Sequence, residues 1–197
     1  MSSDPVSLDL PGVSSAGTSI ADVLPAVLQA ISQVAPTHRQ CHITITNGCS
    51  SFYLSNPRWY IDSGSCATPF PPTIRSSDSG SALFIKTPDT ARGAIAVITY
   101  DLLNNDSNQT IEKIAVMFSN PYDLKAHSNL FAVGILDNSR ECDKLLYDEM
   151  ETGTGNFFVR RKTDGNVLSY RGKRVTIQAT MSDSPQPAMK VELRETQ

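Results

Sequence analysis

The chain has 197 residues, enough for one domain with a sizeable core that needs no disulfide or metal staple. It is 40% hydrophobic and 19% charged, and it lacks a run of about 18 apolar residues, which excludes a continuous membrane-spanning helix on hydropathy. The net charge is −3, and Asp4, Asp9 and Asp22 all precede the first basic residue, Arg39, so the remaining chain is balanced and offers no basic face for nucleic acid.

Residues 1–18 are rich in Ser, Pro, Gly and Asp and read as a flexible arm. They lack a basic stretch followed by an apolar one, so the expectation is export by a non-classical route or residence in the cytoplasm. An amphipathic helix follows over residues 20–34. Ile20, Val23, Leu24, Val27, Leu28, Ile31 and Val34 recur at the i, i+3, i+4, i+7 spacing that lines one helical face. Pro25 fits in the first turn if Asp22 is the N-cap, because the amide that proline lacks is unpaired there in any case.

From Cys41 onward the pattern changes to strands. Short β-rich runs recur at CHITIT, SFYL, RWYI, ALFIK, AIAVITYDLL, KIAVMFS, LFAVGIL, NFFVRR, RVTIQATM and MKVELR, separated by Gly, Pro, Asn, Asp or Ser. That rhythm predicts a β-sandwich. The segment ATPFPPTIRSSDSGS reads as a long edge loop, and residues 140–151 as a second helix with Leu145, Leu146 and Met150 at helical spacing. The domain reading is therefore the arm, then a single sandwich domain over residues 19–197 that includes both helices.

Cys41, Cys49, Cys66 and Cys142 read as buried thiols ahead of a disulfide framework. His38 and His42 have no recognised zinc spacing with Cys41 or Cys49, so no metal or other cofactor is expected. The chain has no GxSxG, HExxH or phosphate-binding loop, and enzyme is the least supported class.

The strongest signal lies at the centre of the chain. Ile114–Phe118 and Leu130–Ile135 read as two strands, and Pro121 forces the chain out of the sheet between them. The intervening order FSNPYD, a short spacer, then SN resembles the core motif of the actinoporins, the pore-forming cytolysins of sea anemones, and their vertebrate relatives. The segment AGTSIADVLPAVLQAISQV is similar to their N-terminal helix, and the resemblance runs from Ala16 to the C-terminus.

The resemblance implies a mainly β fold, an actinoporin-like β-sandwich flanked by two short α-helices. It implies a membrane-associating protein that docks on phosphocholine or sphingomyelin headgroups, self-associates into a homo-oligomer and inserts its N-terminal helix to form a cation-conducting pore. The headgroup residues carried over are Ser63, Ser119, Pro121 and Tyr147, with Arg39 as a lipid-contacting basic residue, Thr90 where valine is usual and His127 on the pocket rim. Ile20, Val23, Leu24, Val27, Leu28 and Ile31 would be the inserting face. This chain departs from the family where rings cluster: Leu124, Ala126, His127, Leu130 and Phe131 follow PYD, and Glu151 and Thr152 replace a tyrosine pair. A choline cation needs aromatic faces, so the alternative is a non-lytic lipid- or glycan-binding, lectin-like module on the same fold.

Overall fold

The computed structural model describes residues 39–196. In chain order the strands are β1 Gln40–Asn47, β2 Phe52–Ser63, β3 Ser65–Thr68, β4 Thr73–Ile74, β5 Ser79–Ile85, β6 Ala94–Asn104, β7 Thr110–Asn120 and β8 Leu130–Leu136. Helix α1, Lys144–Thr152, comes next, then β9 Phe158–Lys162, β10 Leu168–Arg171, β11 Val175–Met181 and β12 Ala188–Glu195. They form two six-stranded sheets, one in the order β10-β11-β12-β1-β5-β3 and the other β4-β2-β6-β7-β8-β9. Among the described residues only β1 and β12 pair in parallel; the other pairs are antiparallel.

The two sheets bury different patterns for a physical reason. In β1 and β11 alternate residues are buried, as in strands with one face on the core and one in water. In β7 every residue from Lys113 to Asn120 is buried, because both faces are covered. Ile114, Val116 and Phe118 enter the core between the sheets, where Phe118 meets Phe84 at 5.3 Å between ring centroids. Ala115 and Met117 point the other way, against Leu146, Tyr147 and Met150 of α1. The unbroken apolar runs of β6 and β7 are thus strands buried on both sides.

Several predicted boundaries are corrected. SFYL and RWYI are one strand, β2, whose register with β6 shifts between Ser55 and Arg58. The bulge absorbs Pro57, which cannot donate to the ladder, with Asn56 at φ 57°, a left-handed conformation that asparagine tolerates. The expected edge loop holds the end of β3, β4 and the first residues of β5, and β10 was not predicted; β3, β4 and β10 have two to four residues, too few for a legible alternation.

The second helix starts at Lys144 and not at Arg140, because Asp143 caps it by accepting a hydrogen bond from Leu146 N at 2.9 Å. Its buried face is Leu146, Tyr147 and Met150, while Leu145, predicted to pack, is exposed. It is the one helix among the described residues, so a sandwich flanked by two helices is seen with one; the helix read over residues 20–34 lies outside them. Among the described residues no helix is long and apolar enough to cross a membrane, and all four cysteines are free thiols.

Candidate functional site

The central motif first makes a clamp. Strand alternation carries Phe118 inward, Ser119 to the α1 side and Asn120 inward again, after which Pro121 ends the ladder. Asn120 is fully buried and its Nδ2 donates to Gln40 O at 3.2 Å and Pro185 O at 3.0 Å. Asn129, at the far end of the loop and equally buried, donates from Nδ2 to Ser184 O at 2.8 Å. The loop is therefore pinned at both ends to the β11–β12 connection. Within it, Asp123 Oδ1 accepts from Lys125 N at 2.9 Å and Ala126 N at 3.3 Å, and His127 N donates to Asp123 O at 2.9 Å.

Arg39 fixes the same loop from the start of the described chain. Its Nε donates to Pro121 O at 2.9 Å and Tyr122 O at 3.0 Å, and its guanidinium carbon lies 5.7 Å from the Tyr122 ring centroid. Lys86 Nζ lies 5.5 Å from the same centroid and donates to Thr90 O at 2.7 Å. Two cations thus share one ring.

Between this loop, the end of β2 and the start of β6 lies a groove of about 420 Å³. Ser63, Pro121 and His127 line it together, with Asp62, Arg92, Tyr122 and Asp123. Ser63 Oγ donates to Gly93 O at 2.9 Å. Gly93 is required at this crossing, because a Cβ there would sit 2.1 Å from Asn120 O. Neither Asp62 nor Arg92 makes a hydrogen bond or ion pair among the described residues, and both side chains are exposed. Among the described residues the groove therefore carries a carboxylate and a guanidinium that no hydrogen bond or ion pair holds, with the Lys144 ammonium acting on Asp62 only through space.

The sequence model of the family described as sea anemone cytotoxic protein matches residues 9–194. The chain belongs to that family. It is 23% identical over 145 residues to bryoporin of Physcomitrium patens, covering 74% of this chain and 78% of bryoporin. It is 35% identical over 60 residues to DELTA-alicitoxin-Pse1b of Phyllodiscus semoni, a match that spans 30% of this chain and only 24% of the toxin. Among solved structures, the lipid-binding protein Nakanori superposes with a TM-score of 0.62 over 88% of this chain and 78% of its own, at 13% identity, a likeness of fold.

Other carried-over positions of this cytotoxin-family chain do not line the groove. Ser119 is buried on β7 opposite Ile95 and Leu130. Thr90 turns its hydroxyl to Thr87 O at 2.8 Å. Tyr147 is 4% exposed, its ring 6.0 Å from that of Tyr60. Burial pushes its phenol up, and a hydrogen bond with Glu151 and the charges of Glu151, Asp62 and Asp148 push the same way.

Sequence reading missed Asp62, Arg92 and the Tyr122 stack, whose meaning depends on distant neighbours. The clamp also went unread, although Asn120 and Asn129, one asparagine at each end of one loop, are its signal in the sequence. Asn129→Ala is expected to cost about 1–3 kcal/mol, because the Ser184 carbonyl loses its donor. Urea unfolding checks it: the midpoint should fall with an unchanged slope, and an unaltered midpoint contradicts the clamp.

Proposed function

We propose that this chain is a membrane-docking, pore-forming protein of the cytolysin type and not an enzyme. The groove takes a zwitterionic phospholipid headgroup, phosphocholine and sphingomyelin among them, and the face of residues 20–34 inserts to build a cation-conducting homo-oligomeric pore. The observation that carries this reading is the meeting of Ser63, Pro121 and His127 in one groove beside charges of both signs, Asp62 and Arg92, that have no ion-pair partner among the described residues. A guanidinium suits a phosphate and a carboxylate suits an ammonium. The family and a fold shared with a lipid-binding protein support it.

A non-lytic lipid- or glycan-binding module is the second reading. It is favoured by the packing of Tyr147, the one expected cage tyrosine retained, against Tyr60 and away from the groove. Each missing ring partner of a choline cation should weaken binding by about 0.5–2 kcal/mol. Dye release and co-sedimentation with vesicles, with and without sphingomyelin, separate the readings. Leakage supports the pore, docking without leakage supports the second reading, and failure to dock on any zwitterionic vesicle overturns the proposed headgroup site.

A further inference from the structure

The groove meets a headgroup cation with a carboxylate where aromatic faces would be needed for a quaternary ammonium. Tyr122 is the one tyrosine on its wall, and no Phe or Trp lines it. Although 42% exposed, the Tyr122 ring already serves two cations, Arg39 at 5.7 Å and Lys86 at 5.5 Å. A third cation approaching that ring meets their repulsion. The rings of Tyr60 and Tyr147 are 6.0 Å apart, and Tyr147 is buried. What remains is Asp62, exposed and without a hydrogen-bond or ion-pair partner among the described residues; the Lys144 ammonium acts on it only through space and is itself bonded to Asp148. The other carboxylate on the wall, Asp123, spends Oδ1 on Lys125 N and Ala126 N.

The two common ammonium headgroups differ in what they ask of such a wall. A trimethylammonium has no N–H and is attracted chiefly by ring faces. A primary ammonium presents three N–H donors and forms charge-assisted hydrogen bonds with a carboxylate. We infer that the groove selects membrane lipids bearing a phosphoethanolamine headgroup over those bearing phosphocholine, with Asp62 receiving the ammonium and Arg92 the phosphate. This rests on the headgroup-docking reading above and narrows which zwitterion the groove favours.

The test compares the full chain on two sets of vesicles of otherwise equal composition, one containing sphingomyelin and the other ceramide phosphoethanolamine, which differ at the headgroup nitrogen. Co-sedimentation should give roughly two- to fivefold tighter binding to the phosphoethanolamine vesicles, the size of one exposed ion pair. Asp62→Asn should erase the difference and Asp62→Glu should retain it, with unfolding midpoints confirming that both variants are folded. Equal or tighter binding to sphingomyelin, or a preference that survives Asp62→Asn, overturns the inference while leaving headgroup docking standing. Binding to neither set overturns both.

Discussion

Deleting residues 1–34 is expected to abolish vesicle leakage while leaving membrane docking in place. The residues that line the groove, Asp62 to His127, and the core beneath them all lie beyond the deletion. The apolar face that would enter lipid, Ile20 to Ile31, lies within it. Dye release should fall to background and co-sedimentation should persist, with circular dichroism showing that the sandwich remains folded. Leakage from the truncated protein equal to that of the full chain would reject the pore. A single change should act in the same direction: Val27→Asp places a carboxylate on the lipid face at a cost of about 3 kcal/mol and should block insertion. Asp22 lies on the opposite, polar side of the helical projection, so Asp22→Lys should move any conductance away from cation selectivity.

Phe118→Ala is expected to destabilise the protein by about 3–5 kcal/mol, the usual cost of emptying a ring's place in a close-packed core. Phe118 is fully buried between the sheets and packs against Phe84, which itself meets Trp59 edge-on at 6.5 Å. Little can collapse into the space, because β6 and β8 hold β7 on both sides. Denaturant unfolding measures the loss directly, and a cost below about 1.5 kcal/mol would mean that the core relaxes around the missing ring. The same variant should weaken docking only in proportion to its unfolded fraction, since Phe118 does not line the groove. Reduced binding by the fully folded protein would show that the loop after Asn120 depends on the packing of the strand before it.

Much of this molecule was readable from local pattern. The alternation of CHITIT and RVTIQATM and the continuous apolar runs of β6 and β7 located the main strands, because burial on one face or two imprints a period on the chain. The order FSNPYD followed by SN pointed to the family because two buried asparagines, a proline and a turn aspartate each do a separate backbone task at a set spacing. Short strands such as β4 and β10 escaped, since two to four residues carry no period and are strands only by virtue of their partners. The start of α1 was misplaced because RECD shares the helix's composition, and the Asp143 cap is what ends the preceding turn.

The site divides in the same way. The family resemblance suggested Ser63, Ser119, Pro121, His127, Thr90, Tyr147 and Arg39 as one set, but tertiary structure placed only Ser63, Pro121 and His127 on the groove. Strand pairing buried Ser119 on β7 opposite Ile95 and Leu130, the packed face of α1 buried Tyr147, and a local hydrogen bond turned Thr90 into its own loop. Whether a charge is spent or available is decided by non-local neighbours: Arg39 is committed to a loop more than eighty residues away, whereas the Asp62 and Arg92 side chains, unremarkable in sequence, stand on the groove with no hydrogen bond or ion pair among the described residues. Periodicity records which face of a segment leaves water, and the sequence by itself determined that much. Which polar groups remain unpaired once distant segments meet is set by sheet register and loop closure, and only the tertiary structure decided it.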